Sequence, residues 1–342
     1  MIETKTVSPD EDDLRLDRWF KRHYPAVGHG WLQKLLRTGQ VRVDGKRAKT
    51  NFRLSPGQAI RIPPLDAPPG KSGGHDAQPT REKPSRDISD ADRDFVRSLV
   101  IYKDDDLIAI NKPAGLAVQG GTNTRRHLDG LLEGLRYDLE ERPRLVHRLD
   151  KDTSGVMLLA RNRVAAARMG TTFRQRETRK IYWASVVGVP DLSQGRIDAP
   201  LGKLPGRAGE RVGVDDVNGK SAVTLYHVMD RSANRLAWIA FWPLTGRTHQ
   251  LRAHAMVLDT PILGDGKYGG AGAFLTGIEI PRQLHLHARR LVTPHPSGRG
   301  VLQLDAEMPP HMKKTWADFG WFEPSTEEEI DRLVDAWLEL YK

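Results

Sequence analysis

The chain has 342 residues, no cysteine, and a formal net charge of +9 from 53 Lys and Arg against 44 Asp and Glu. Without cysteine it can hold no disulfide, no thiolate nucleophile and no Cys-type zinc site. Its length suits about two domains, and the positive balance suits a polyanionic partner: RNA, DNA or an anionic membrane surface. No apolar stretch approaches the ~20 residues that span a bilayer. Met1-Ile2-Glu3-Thr4 lacks the basic-then-apolar order of a signal peptide. The expectation is a soluble cytoplasmic protein with no membrane contact.

Residues 1–13 are polar and acidic and read as a frayed tail. Leu14, Leu16, Trp19 and Phe20 then recur at helical spacing, with Arg15, Arg18, Lys21 and Arg22 on the other faces. A second helix carries Trp31, Leu32, Leu35 and Leu36 as its apolar stripe, with Lys34 and Arg37 outside it, and Gly39 can end it. Val41-Arg42-Val43 alternates like a strand, Asp44-Gly45 is a hairpin-turn dipeptide, and Lys46, Arg47 and Lys49 follow. Residues 58–62 alternate again. Residues 64–94 are rich in Pro, Gly, Ser and charge and predict a flexible linker.

A second domain is expected over 95–312. Residues 99–102 and 107–110 flank Lys103-Asp104-Asp105-Asp106, a hairpin with a solvated acidic turn. Asn111-Lys112-Pro113-Ala114-Gly115 reads as a turn, 118–121 as a flexible loop and 128–135 as a helix. Residues 165–179 predict a basic helix carrying Arg168, Arg174 and Arg176, and 181–187 a strand. A Pro/Gly-rich loop over 201–213 precedes strands at 222–228 and 236–242. Thr248 is expected to cap a helix carrying Leu251, Arg252, Ala255 and Met256. In the tail, Ser325-Thr326-Glu327-Glu328-Glu329 reads as a capping box, so 313–342 predicts an extension with an amphipathic C-terminal helix packed on the second domain.

One stretch stands apart: Val146-His147-Arg148-Leu149-Asp150-Lys151-Asp152-Thr153-Ser154-Gly155, followed at once by the apolar run Val156-Met157-Leu158-Leu159-Ala160. A carboxylate on a turn before a buried strand can be held rigidly and partly desolvated, as chemistry requires. The same residues also make a plain solvated turn. A calcium loop is set aside, because the twelfth position from Asp150 is Arg161 rather than a bidentate Glu.

His-Arg-Leu-Asp-x-x-Thr-Ser-Gly resembles the signature of the RluA family of pseudouridine synthases. Lys180-Ile181-Tyr182, Thr245-Gly246-Arg247-Thr248-His249-Gln250-Leu251-Arg252, Pro261-Ile262-Leu263-Gly264-Asp265 and Leu286-His287-Ala288 resemble its later motifs, in the right order. The resemblance covers roughly 100–309, and residues 14–63 resemble an S4 RNA-binding domain. Ala117-Val118-Gln119-Gly120-Gly121 together with the S4-like unit most resembles the branch, RluC and RluD among it, that acts on large-subunit ribosomal RNA. The implied fold is α+β: a small S4 domain, then a catalytic domain built on a mixed, largely antiparallel sheet with flanking helices.

The implied reaction breaks the glycosidic C–N bond of a uridine in RNA, turns the base and rejoins it through carbon 5. One group must act as a nucleophile or stabilise positive charge, and another must take the proton from carbon 5. The resemblance implies Asp150 as the catalytic carboxylate, Arg252 as the cation paired with it, and Tyr182 as a ring stacked on the uracil whose hydroxyl is a candidate base. Arg148 is implied to enter the space left by the extruded uridine. Lys112 and Arg247 are expected to bind phosphate. Lys34, Arg37, Arg42, Lys46, Arg47 and Lys49 form an expected RNA-contact face where S4 domains meet phosphates. No metal, cofactor or nucleotide is implied; His249, His254 and His287 are unevenly spaced and read as structural hydrogen-bonding residues. The expected partner is RNA, large-subunit ribosomal RNA or its precursor, met by a monomer.

Three other readings compete. A non-catalytic RNA-binding or ribosome-assembly protein would be favoured by substitutions at Asp150, Tyr182 or Arg252, and none is substituted. A synthase acting on tRNA carries the same motifs. A glycoside hydrolase would need Asp150 and Asp152 as carboxylates about 5–10 Å apart on opposite sides of a sugar.

Overall fold

Apolar spacing over residues 14–62 closes around Trp19. The computed structural model describes residues 2–65, 88–121, 124, 126–204 and 211–322. Two compact units divide the chain, within residues 1–81 and 82–342.

In the first unit, β1 (Glu3–Thr6), α1 (Leu16–His23), α2 (His29–Arg37), β2 (Arg42–Val43) and β3 (Ala59–Ile62) follow in order. The strands form an antiparallel sheet, β1-β3-β2. Leu16, Trp19, Phe20, Leu32, Leu35, Leu36, Val43, Ile60 and Ile62 are buried together. Gly39, at φ 72, ends α2 as expected, and its left-handed turn lets the Gln40 amide donate to the Leu35 carbonyl. Asp44 and Gly45, at φ 47 and 72, make the two-residue turn after β2. Residues 2–13, described within the segment expected as a frayed tail, are ordered against the sheet. β1 covers the free edge of β3, Val7 is buried, and Glu11 accepts the Trp19 indole N–H at 2.9 Å.

The second unit begins earlier than expected. α3 (Asp90–Ser98) occupies the last part of the segment predicted as linker, capped by Ser89, whose hydroxyl accepts the Asp92 amide. Val96 is the reason: it buries against Leu128, Leu132 and Leu135, so the helix belongs to that core despite its polar start. Residues 66–87 of the predicted linker lie outside the described residues.

The unit continues through β4 (Val100–Lys103), β5 (Leu107–Lys112), α4 (Leu128–Leu131), β6 (Arg144–Leu145), β7 (Ser154–Ala160), α5 (Arg163–Gln175) and β8 (Arg179–Val187). It ends with β9 (Gln194–Asp198), β10 (Leu201–Leu204), β11 (Arg211–Val214), β12 (Val223–Ser232), β13 (Leu236–Pro243), α6 (Gln250–Val257), β14 (Leu286–Pro294), β15 (Val301–Asp305) and α7 (Pro310–Asp318). Ten strands form one mixed sheet in the order β4-β5-β7-β14-β8-β13-β12-β9, with β6 on β7 and β15 on β14. Only the β7–β14 pairing is parallel among the described strands. No described helix is long and apolar enough to cross a membrane.

β8 and β13 bury both faces, so alternate residues feed two cores. Trp183 and Trp238 face one side, where Trp316 of α7 joins them with ring centroids 5.3 and 4.1 Å away. Ala184, Ile239 and Phe241 face the other, against Leu251 and Ala255 of α6. The boundary placed at 312 is therefore overturned: α7 runs across it and plants Met312 and Trp316 in the core. The capping box at 325–329 and its helix lie outside the described residues. Of residues 201–213, expected as a loop, 201–204 and 211–213 lie instead in the antiparallel pair β10 and β11. The acidic turn is no solvated run either. Asp104 accepts the Tyr102 hydroxyl and the amides of Asp106 and Leu107, and bonds to His295. Burial alone would raise its pKa, but these contacts hold it down at about 2.

Candidate active site

Asp150 sits on the turn between β6 and β7, and the motif around it is tied down at both ends. Upstream, His147 Nε2 accepts the Leu158 amide of β7 at 2.8 Å, and its ring stacks on Phe173. Burial, with the Lys180 charge behind it, lowers its pKa to about 3, so the ring stays neutral and remains an acceptor. Downstream, Ser154 Oγ meets His287 Nδ1 at 2.9 Å, and His287 Nε2 meets the Ala306 carbonyl at 3.1 Å. A carbonyl can only accept, so Nε2 carries the proton and Nδ1 accepts from Ser154. Gly155 lies beside Ser154 at φ 113, where a Cβ would sit 2.3 Å from the Ala288 carbonyl oxygen. Glycine is what lets β7 lie parallel against β14 there. Two distant motifs, the Ser-Gly end of one and Leu286-His287-Ala288 of the other, thus meet in a single strand pairing.

Lys112 anchors the middle of this turn, and it is not a phosphate contact. The side chain is fully buried, and Nζ donates to the carbonyls of Pro113, Leu116 and Lys151 at 2.9 to 3.0 Å. The Lys151 carbonyl also accepts the Gly115 amide at 2.9 Å. Burial lowers the Lys112 pKa to about 8, opposed by Asp152 and Asp150, so the ammonium persists at neutral pH. The chain therefore uses this cation to fix the residue after Asp150.

Asp150 opens into a cleft of about 130 Å³. Arg148, Lys180, Tyr182, Arg247, His249 and Arg252 line it with Asp150. Tyr182 comes from β8, opposite Ala288 of β14 and Phe241 of β13. Burial, and then the Asp150 charge, push its hydroxyl well above the ordinary phenol range. Burial likewise lowers the pKa of Lys180. The segment from Thr245 to Arg252 is shaped by Gln250. Its Oε1 accepts the Arg247 amide and the Thr245 hydroxyl, while its Nε2 donates to the Val223 carbonyl and to Thr224. Arg247 Nε donates to the Ser221 carbonyl. Asp152 opens instead into a neighbouring cleft with Lys267 and Arg282, so the two carboxylates do not face one another across one sugar site.

Several expectations need correcting. Arg252 does not pair directly with Asp150: its Nε and Nη2 make a bidentate bridge to Asp265 at 2.7 and 2.6 Å. Among the described residues His249 comes within ion-pair range of Asp150, with Nε2 4.0 Å from Oδ2. Thr248 does not cap α6; the residue before the helix is His249, in the left-handed region at φ 53, ψ 21. His254 and His287 are buried and bonded to separate partners. In the first unit Lys34, Arg37, Lys46, Arg47 and Lys49 are exposed. Arg42 is half-buried, and its guanidinium commits Nε and one Nη1 donor to the carbonyls of Gly39 and Gly45. Sequence reasoning missed Asp265, Gln250 and Tyr268 as parts of the site. The first two lie inside quoted motifs, and Tyr268 follows three residues after one of them.

Residues 106–256 match the family model described as RNA pseudouridylate synthase. The ribosomal large subunit pseudouridine synthase C of Rickettsia typhi is 35% identical over 313 residues, covering 90% of this chain and 97% of that protein. The synthase of the same name from Vibrio cholerae is 31% identical, covering 90% of this chain and 94% of its own. Among solved structures, human RNA pseudouridylate synthase domain containing 4 superposes with a TM-score of 0.57 at 30% identity, over 69% of this chain and 99% of the human one. Similarity along nearly the whole chain, carried on a shared catalytic fold, makes this protein a pseudouridine synthase, a member of the RNA pseudouridylate synthase family of RluA type.

Proposed function

We propose that this enzyme isomerises uridines of large-subunit ribosomal RNA, with Asp150 as its reacting carboxylate and the unit within residues 1–81 as an S4-type RNA-binding module. The observation that carries the reading is Asp150 itself, held on a turn fixed at three points and opening into a cleft with Tyr182, Arg148 and Arg247. The names of the Rickettsia and Vibrio relatives support the ribosomal substrate. A cytoplasmic site of action follows from that substrate.

In this reading an extruded uridine enters the cleft and its C1′–N1 bond breaks with Asp150 assisting. The base turns, carbon 5 bonds to C1′, the carbon-5 proton leaves and N1 takes one up. The product is an isomer, so no redox partner or energy source enters. Tyr182 stacks on the uracil and holds it while it is detached; its raised pKa keeps the hydroxyl protonated and makes it a poor base. Arg148 is exposed at the rim, where a planar guanidinium can stack in the vacated duplex position. Arg247 adds positive charge to the cleft wall for the phosphodiester chain, while Arg252 is held by Asp265.

Two measurements test the reading. Pseudouridine mapping of cellular RNA with and without this gene should show losses confined to large-subunit ribosomal RNA; losses in tRNA alone would overturn the substrate. Asp150→Asn is nearly isosteric and should bind RNA normally while turnover falls at least ~1000-fold, as for loss of a catalytic-triad member. Product at the normal rate from this variant would remove Asp150 from the chemistry.

A further inference from the structure

We infer that His249 is a positioning residue that presents its Nε2–H to the Asp150 carboxylate, with Tyr268 setting the imidazole tautomer; this deepens the reading of Asp150 as the reacting group. His249 Nε2 lies 4.0 Å from Asp150 Oδ2, and its Nδ1 lies 2.9 Å from the Tyr268 hydroxyl. That hydroxyl is itself fixed, because it accepts the Val212 amide at 3.1 Å. Arg252 and Arg211 lie over the Tyr268 ring, 4.9 and 5.3 Å from its centroid.

A neutral imidazole carries its proton on one nitrogen and a lone pair on the other. If Nδ1–H donated to Tyr268, a bare Nε2 lone pair would face the carboxylate and repel it. In the other tautomer Tyr268 donates to Nδ1, and Nε2–H points at Asp150 with favourable charge. The second arrangement satisfies both contacts. Burial lowers the His249 pKa, with Asp150 opposing and Arg252 and Lys267 assisting, so the ring acts as a neutral donor.

Two further features give the ring this task. Arg252, the cation expected beside Asp150, has its Nε and Nη2 committed to Asp265, which leaves a place for another donor. His249 also holds a left-handed backbone at φ 53, a conformation that costs energy in a non-glycine residue and gathers at functional sites. A separation of 4.0 Å is longer than a hydrogen bond. Such contacts in substrate-free enzymes tighten when substrate closes the site.

The test compares His249→Asn, which tolerates the left-handed backbone but is too short to reach, with His249→Gln, which keeps reach and an N–H donor. His249→Asn should lower kcat by about 100-fold, the cost of a misplaced reacting group, with KM for RNA and the unfolding temperature unchanged. His249→Gln should recover much of the loss. Tyr268→Phe should lower kcat in the same direction, and the double variant with His249→Asn should be no slower than His249→Asn alone. Nitrogen NMR of the imidazole should show the Nε2–H tautomer in the wild type and lose that preference in Asp150→Ala. A protonated Nδ1 in the wild type would overturn the inference. So would full turnover by His249→Asn, or a loss matched by equal losses in RNA affinity and stability. If Asp150→Asn were active, the assignment of Asp150 itself would fail; an inactive Asp150→Asn beside a fully active His249→Asn would sink only the role of His249.

Discussion

Arg252 and Asp265 form a bidentate ion pair, with Nε and Nη2 at 2.7 and 2.6 Å from the two carboxylate oxygens and both residues buried. The pair joins α6 to the turn after Leu263 and orients the guanidinium along one wall of the cleft. Asp265 also accepts the Tyr268 amide at 3.3 Å.

Removing one partner of such a pair leaves a buried charge without compensation, which costs about 3–5 kcal/mol. Asp265→Ala should lower stability by that amount and abolish most turnover. Arg252→Lys should also fail, because an ammonium cannot reproduce two parallel N–H bonds. Denaturant unfolding and kcat of both variants check this. An unchanged unfolding free energy for Asp265→Ala would show that the pair does not hold the site together.

Lys112 offers a sharp contrast between a phosphate contact and an internal anchor. Lys112→Met fills a similar volume but takes the ammonium donor from the carbonyls of Pro113, Leu116 and Lys151, of which the last keeps the Gly115 amide. The expected cost is about 3 kcal/mol of stability, with a marked loss of turnover and no change in the salt dependence of RNA binding. A flatter salt slope with unchanged stability would restore the phosphate reading.

The first unit carries an acid-sensitive carboxylate. Burial alone would raise Glu11, but bonds from His23, the Ser8 amide and Trp19 lower its pKa from 4.5 to about 2. A depressed carboxylate adds stability that is fully present above pH 4.5 and is lost as pH falls towards 2. The contribution is on the order of 3 kcal/mol. In Glu11→Gln, hydrogen exchange of peptides from residues 2–65 should be faster near neutral pH and less changed between pH 4.5 and 2 than in the wild type. Identical pH profiles for the two proteins would refute the linkage.

Exposed basic residues of the first unit should act on affinity without touching chemistry. Changing Lys34, Arg37, Lys46, Arg47 and Lys49 together to Gln should weaken RNA binding while leaving kcat at saturating RNA intact. Each lost phosphate contact on a single strand should reduce the slope of log K against log salt by about 0.7. Arg42 is left out because its guanidinium is engaged with two carbonyls. An unchanged slope would mean that this face meets a protein instead.

Much of this was legible in the residues. The helices around Trp19 and Leu35, the strands at 181–187 and 236–242, and the order of the motifs follow from periodicity and local turn chemistry, which act over a few residues. Asp150, Tyr182, Arg148, Arg247 and Arg252 were all named from motifs, and one cleft collects them. α3 was hidden because its polar start continues the composition of the preceding segment, and its packing rests on Val96, with Phe95 beside it.

By itself the sequence determined most of the elements, though not β1, α3 or the β10 and β11 pair, and it determined which residues carry chemical groups, because both depend on short-range spacing. Only the tertiary structure decided what those groups do. It turned Lys112 inward onto three carbonyls, gave Arg252 to Asp265, and brought His249 rather than Arg252 into ion-pair range of Asp150. The pairings of Arg252 with Asp265, Lys112 with Lys151 and His249 with Asp150 join residues 13, 39 and 99 positions apart (265 less 252, 151 less 112, 249 less 150). Burial then sets their charge, since a cation or carboxylate removed from water must find its partner among whatever the fold brings within reach.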